Sequence, residues 1–452
     1  MNKIFILIGF FLITTTSKAQ QNQTYKFTLE EAINFAIDSN YSAINARKDI
    51  AIAIKKKWET TASGLPQLNG SVSYQNNIKQ PTTLLPGEIT GADPGTFVPV
   101  IFGTKESANI GVSLSQLIFD GSYLVGLQAA KTFLDYSQNA DEKTQLEVRL
   151  GVINAYGSVL LSKELIDIID LNIKNLKNNL KETKAYFNNG FVEEESVEQL
   201  EITLLDLETQ LKNSKRMFVI AQQMFNLALG IDVESDVIML DNLDSLTQEN
   251  IRLDFLDKNI NIEDNIDFKI ASNFKSQRLL ELKLEKSYSI PNLAAFINYG
   301  TQANSDSFTF LSNNQKWYQS SLLGISMNIP IVSSGLRSAK TQQARIALEK
   351  AETSLKETYQ NILLEINTAK NNYQFAIEVY NNNKKNLNLS ERVEKKNQVK
   401  FIEGLATSFD LRNAQIQLYN AQQAYFESML RVITTKADLE TVLNTPQLKK
   451  TN

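Results

Sequence analysis

The 452-residue chain contains neither histidine nor cysteine. That removes serine or cysteine catalysis with a histidine base, zinc sites built on His or Cys, and every disulfide. No Gly-x-x-x-x-Gly-Lys or Gly-x-Gly-x-x-Gly loop occurs, so nucleotide binding has no support. With 46 basic and 50 acidic residues the formal charge is −4, and this balance gives no sign of nucleic-acid binding. Two acids could suffice for a cell-wall glycosidase, but no pair stands out; no catalytic residue, cofactor or metal site is expected. Long apolar runs are missing except at the start. There Lys3 precedes Ile4 to Ile13, and Ser17-Lys18-Ala19 fits a small-x-small cleavage rule, so residues 1–19 are read as a signal peptide. That run is too short for a spanning helix, and the mature chain is expected to be exported.

Proline is scarce as well. All eight lie at 66, 81, 86, 94, 99, 291, 330 and 446, leaving 100–290 and 331–445 without any. Proline breaks helix interiors, so these gaps permit very long helices. The apolar pattern fills them. Val148, Val152, Ala155, Val159, Ile166, Ile169, Ile173, Leu176, Leu180 and Phe187 step by four and three, with Ser162 and Thr183 in the seam. Val197, Leu200, Leu204, Leu207, Leu211, Phe218, Ala221 and Phe225 resume the pattern after a break. This 3.5-residue repeat is a coiled-coil seam. Ile362, Ile366, Ala369, Tyr373, Ala376 and Tyr380, then Leu411, Ala414, Leu418, Ala421 and Tyr425, form a smaller and more polar version. Between the paired helices, Asn188-Asn189-Gly190 and Ile402-Glu403-Gly404 read as helix C-termini. Glu193 to Glu195 and Thr407 to Asp410 read as the starts that follow. Each pair is therefore a long helical hairpin, its first helix on the order of 80 Å at 1.5 Å per residue.

Other segments alternate with period two: Leu68, Val72 and Tyr74; Ile110, Val112 and Leu114; Leu293, Ala295, Ile297 and Tyr299; and Leu323, Ile325, Met327, Ile329 and Ile331. Runs of about ten residues match tilted transmembrane β-strands. Four strands cannot close a barrel, and open edges do not occur in lipid. Several chains must share one barrel, and three chains leave a lumen where two would not.

The chain also repeats itself. Asn40, Pro66, Leu68 and Tyr74 recur as Asn265, Pro291, Leu293 and Tyr299 at an offset of 225. Phe187 and Gly190 recur as Phe401 and Gly404 at an offset of 214, which places an 11-residue insertion in 75–107 relative to 300–320. Two similar halves follow. The first is 20–230, with a strand pair about 67–119 and a hairpin tip near 190. The second is 265–445, with a strand pair about 292–332 and a tip near 404. Between them lies a segment at 231–264, and a C-terminal tail at 446–452 closes the chain.

This arrangement resembles the TolC-type outer-membrane efflux proteins. Phe27-Thr28-Leu29-Glu30-Glu31-Ala32 with Ala36 and Asn40 resembles the opening helix of that family, and Thr28 with Glu31 spells a capping box. Gly64-Leu65-Pro66-Gln67-Leu68 resembles its helix-to-strand junction, and Ser115 to Gly121 its strand-to-helix junction. Phe187-x-x-Gly190 and Phe401-x-x-Gly404 resemble its helix-hairpin tips, usually Tyr-x-x-Gly. The resemblance implies a mainly α fold with a membrane β-barrel portion: long helical hairpins forming a periplasmic tunnel, and four transmembrane strands per chain in a barrel shared by a homotrimer. It implies a passive exit duct of a tripartite efflux or type I secretion system, in the outer membrane with a long periplasmic portion and an equatorial region including 231–264. Its partners would be the lipid bilayer, a periplasmic adaptor (membrane fusion) protein and an inner-membrane pump. The adaptor-docking tips would comprise Phe187, Gly190, Phe191, Phe401, Gly404 and Leu405. Six positions after Gly404, Asp410 would be the acid of the periplasmic aperture; an acid in a helix's first turn is also favourable by roughly 0.3–1 kcal/mol. An exported coiled-coil scaffold or surface fibre is the alternative. It explains the heptads but not the paired strands.

Overall fold

The computed structural model describes residues 24–257 and 261–444. The expected signal peptide and C-terminal tail lie outside the described residues. The elements run β1 (Tyr25–Phe27), α1 (Leu29–Ser39), α2 (Tyr41–Ser63), β2 (Gln67–Asn76), β3 (Thr82–Pro86), α3 (Gly87–Thr90), β4 (Phe97–Ile101), β5 (Glu106–Phe119), α4 (Gly121–Asn188), α5 (Glu194–Leu229), β6 (Val237–Met239), α6 (Leu243–Asn250), two 3-10 turns (Leu253–Phe255 and Ile262–Asp264), α7 (Ile266–Ser287), β7 (Asn292–Ser305), β8 (Tyr318–Asn328), α8 (Leu336–Ile402) and α9 (Ser408–Val442). The proline-free stretches hold α4 and α8, 68 and 67 residues without a break. The chain divides into two compact units, one from Lys48–Ala140 with Asp267–Gln360, the other from the remainder.

The first unit is built on one antiparallel sheet in the order β2-β5-β7-β8. The predicted alternation supplies all four strands. It runs past the end of β8, however: Ile329 and Ile331 lie beyond Asn328, where Pro330 offers no N–H to a ladder. The insertion is more ordered than a polar, Pro-rich loop. β3 and β4 pair antiparallel from Thr82↔Ile101 to Pro86↔Phe97, with Pro86 and Pro99 inside strands that their periodicity did not announce.

In the second unit the predicted seam is the core. Ile173, Leu176 and Leu180 of α4 pack with Val197, Leu200 and Leu207 of α5, and Ile169, Leu204, Leu211 and Tyr419 close around them. The Thr28–Glu31 capping box forms as spelled, with both reciprocal bonds made. Two buried tyrosines fasten short segments to the long helices. Tyr156 donates to Phe27 O (3.1 Å) or Asp241 Oδ2 (2.9 Å), and Asp241 Oδ2 also accepts the Leu29 N–H (2.7 Å). These bonds hold β1, which pairs parallel with β6. On α8, Tyr373 donates to Asn250 O (2.6 Å) and accepts from the Arg252 N–H (2.7 Å). Burial pushes both phenols up from their ordinary pKa, so they stay protonated donors. Glu440 accepts from Arg149 and from Lys436 (2.9 Å), in a half-buried charge cluster.

Gly230 ends α5 at φ +78°, and a Cβ there would stand 2.3 Å from Ser39 O. Backbone cannot swing aside as a side chain can. Gly230→Ala is expected to destabilise this unit by about 1–3 kcal/mol from the left-handed conformation alone, and more from the overlap. Thermal unfolding followed by circular dichroism reads the loss. An unchanged midpoint would mean that the α1–α5 junction opens at no cost.

Candidate functional site: a two-faced wall and two helix tips

The register of the sheet sorts its side chains. Leu68↔Leu114, Val72↔Ile110 and Tyr74↔Ala108 share one face of β2 and β5. Leu114↔Ile297 and Val112↔Tyr299 extend that face to β7, and Leu293↔Met327, Ala295↔Ile325 and Ile297↔Leu323 extend it to β8. The opposite face carries Asn69↔Ser113, Ser73↔Asn109, Ser113↔Asn298 and Gly300↔Ser320. A soluble sheet would bury its apolar face. Here Leu68, Val72, Leu323 and Ile325 are 69–79% exposed. The strands are 10 to 14 residues long, enough to cross a hydrocarbon layer at a tilt. β2 and β8 each have a neighbour on one side only.

Two aromatic residues interrupt or finish this pattern. Phe296 is on the polar side, and the far end of its ring stands at Gly324, where a Cβ would come within 2.5 Å of it. On the apolar side, at the end far from the long helices in sequence, Phe310 covers Ala108 and Ala303, with Trp317 against it. Tyr74 meets Phe308 and Phe310 edge-on at 5.6 and 5.8 Å.

The tips repeat one backbone device. Gly190 and Gly404 take φ +77° and +72°. Gly190 N–H donates to Phe187 O (2.9 Å) and Phe191 N–H to Tyr186 O (2.9 Å); Gly404 N–H donates to Phe401 O (3.0 Å) and Leu405 N–H to Lys400 O (2.7 Å). Both are Schellman ends, which require a residue free to be left-handed. Phe191 and Leu405 are then thrust outward, 76% and 73% exposed, whereas Phe187 is far less so. Phe401 instead lines a small space with Tyr186, Ile402 and Leu411. The two tips sit together in one unit: Gln398 Nε2 donates to Asn179 Oδ1 (3.2 Å).

Asp410 is exposed and lies in the second tip's helix start. Its Oδ2 accepts from the Thr407 hydroxyl (2.6 Å) and the Thr407 N–H (3.0 Å), while its own N–H donates to Thr407 Oγ1 (3.2 Å). The Thr407 hydroxyl, then its N–H, hold the carboxyl below the usual aspartate range. The first tip has no such box: Glu193 caps α5 without a side-chain bond. Sequence reasoning missed a further feature, an apolar groove of about 680 Å³ between α4 and α5. Its α5 wall, Met217, Ile220, Met224 and Leu227, is exposed. These positions fall outside the seam, so the heptad count did not register them. Among the described residues no group of His, Cys, Asp or Glu could hold a metal ion.

Comparison with known proteins places this architecture. Residues 276–445 match the family model described as outer membrane efflux protein. The outer membrane protein VceC of Vibrio cholerae superposes with a TM-score of 0.70 at 15% identity, over 92% of this chain and 95% of that one. The CmeC outer membrane channel of Campylobacter jejuni gives 0.73 at 16%, over 92% and 85%. The MtrE outer membrane channel of Neisseria gonorrhoeae gives 0.69 at 17%, over 92% and 88%. No curated protein matches. The chain has the fold of the TolC-type outer-membrane efflux channels, and its second half carries that family's sequence pattern.

Thr407→Ala isolates the helix-start role of Asp410. It should cost about 1 kcal/mol, as loss of an N-cap does, and let the Asp410 carboxyl titrate higher. The sign follows from the lowered pKa. The native state favours the carboxylate, so the box stabilises above the unfolded aspartate value of about 3.9 and loses this as pH falls through the folded value. Stability against pH for wild type and variant should draw closer at acid pH, the remaining gap being the Asp410 N–H bond to Thr407 Oγ1. Parallel curves with a constant offset would show that the cap acts through the Asp410 N–H bond alone and that the carboxylate adds nothing.

Proposed function

We propose that the chain is one third of an outer-membrane exit duct, a passive conduit fed from the periplasm by an adaptor and an inner-membrane pump. The two-faced sheet with two open edges carries this reading. Its apolar face suits hydrocarbon and its polar face suits water. Its unpaired edges are untenable in lipid unless the β2 of one copy pairs with the β8 of the next. Three copies give twelve strands and a water-filled lumen. The exposed apolar wall of α5 is then covered by a neighbouring copy, as large exposed patches ordinarily are. A coiled-coil fibre would leave both the sheet and its edges without purpose. The repeat boundaries 20–230 and 265–445, with 231–264 as an equatorial segment, remain the organisation that this reading uses.

Native mass spectrometry in mild detergent should find the outer-membrane extract as a trimer, and planar bilayers should show discrete channels. A monodisperse monomer, or release by salt alone, would end the reading. In that trimer three Asp410 carboxylates ring the periplasmic aperture, and charged rings favour counter-ions. Asp410→Ala should therefore weaken cation selectivity and block by multivalent cations from the periplasmic side. If both persist in an assembled trimer, Asp410 is only a helix-start acid.

The tips, through Phe187, Gly190, Phe191, Phe401, Gly404 and Leu405, are the adaptor's landing site. Two exposed apolar residues at ordered turns have no folding role to explain them. Leu405→Glu should abolish export while trimer yield stays normal. Normal export would rule out docking at this tip.

A further inference from the structure

The β3–α3–β4 excursion is not explained by the membrane wall. Isolated two-stranded sheets are marginal in water, yet this one is fastened at its tip. Gly87 N–H donates to Thr96 O (2.8 Å), Gly95 N–H to the Glu88 carboxylate (3.0 Å), and the Thr96 hydroxyl to Asp93 O (2.6 Å). The register divides its faces. Thr82↔Ile101, Leu84↔Pro99 and Pro86↔Phe97 share one; Thr83↔Val100 and Leu85↔Val98 share the other. On the first face Leu84, Phe97 and Ile101 are 61%, 65% and 56% exposed. No charged residue occurs in 80–87 or 94–104. Pro86 and Pro99 each lack an N–H, which makes the hairpin's edges poor templates for strand addition. What it offers is an apolar face, held in a fixed shape.

We propose that this face is a contact between copies of the chain: three hairpins converge over the outer mouth of the barrel and cover one another's Leu84–Phe97–Ile101 faces. The inference rests on the trimeric-duct reading. The occupant follows from position. The hairpin comes after β2 has spent ten residues, the length of one crossing, so its face stands beyond the hydrocarbon and lipid chains do not reach it. β2 is an edge strand of the sheet, so each hairpin rises beside the seam with the next copy. Twelve strands about 4.8 Å apart, tilted about 40°, enclose a backbone ring roughly 12 Å in radius. Strands of five residues extend about 16 Å, enough to reach the axis. Three uncharged faces brought to one axis bury each other and leave an apolar plug that cargo must part.

The chain has no cysteine, so single introduced thiols report cleanly. Leu84→Cys and Phe97→Cys, oxidised in intact outer membranes, should shift from monomer to disulfide-linked dimer on denaturing gels; Thr83→Cys, on the opposite face, should stay monomeric. Native mass spectrometry of the same samples separates two failures. If no trimer exists, the duct reading falls and this inference with it. If the trimer is intact but both face cysteines stay monomeric and react with a membrane-impermeant maleimide as fast as Thr83→Cys, the hairpins stand apart and the contact is wrong. Quenching of a fluorophore at Phe97→Cys by a lipid-borne quencher would assign the face to lipid and equally overturn it. Should the cysteine variants fail to assemble, Leu84→Ser with Phe97→Ser and Ile101→Ser provides the second reading. An intact trimer with higher single-channel conductance supports the plug, and unchanged conductance rejects it.

Discussion

The unpaired backbone along β2 and β8 constrains everything else in this molecule. In hydrocarbon each unsatisfied N–H or C=O costs several kcal/mol, and an edge of ten or eleven residues presents them at every second position. No side chain on the strand can repair this, because the missing partner is another strand. A chain that places an open four-stranded sheet in lipid would thus be committed to assembly before any interface side chain is considered. The rest of the sequence respects that commitment. Seven of the eight prolines stand at the boundaries of these strands or in the excursion, and none lies within β2, β5, β7 or β8, so no ladder position is spoiled.

The helical unit works under the opposite solvent rule. Its long helices have water on one side, so their seams tolerate small and polar residues that lipid would not. Asn172 donates to Gln422 Oε1 (2.8 Å) inside the bundle. Glu394 lies nearby on α8, its carboxyl pushed up by burial and partly restored by Gln415. Such groups cost stability unless partnered, but they fix which helix faces which. The tyrosine posts serve the same end. Tyr156 and Tyr373 are fully buried, and each spends its hydroxyl on the backbone of a short segment rather than on its own helix. Segments of three to eight residues could not hold their places by propensity alone.

Much of this was legible in the sequence, because period-two and 3.5-residue patterns are imposed by solvent on opposite sides of one element. The four strands, the two hairpins and the Thr28 and Thr407 caps all follow from local rules. What escaped has a common character. The β3–β4 hairpin breaks the strand pattern with Pro86 and Pro99, the exposed α5 wall of the groove lies off the heptad seam, and Phe296 is paired with Gly324 across two strands. None has a periodic signature, since each depends on which particular residues meet in space. The tip residues are legible as helix ends; that Phe191 and Leu405 stand exposed there is not, because a sequence does not print exposure.

If Asp410 lines the aperture as proposed, a structural bond and a functional charge would reinforce each other there. Three carboxylates drawn toward one axis would raise one another's pKa by like-charge repulsion, and a ring that neutralises itself has no field. The Thr407 hydroxyl and N–H pull in the other direction, favouring the ionised form. Both donors belong to the same short turn as the acid, so they travel with it whatever the aperture does. In the proposed ring, a cap of this kind would keep the charge present in narrow and wide states alike. Ser196 occupies the same position after Gly190; it carries no charge and needs no such support. The two halves, so alike in their Schellman ends, therefore differ where a ring of charge would be made.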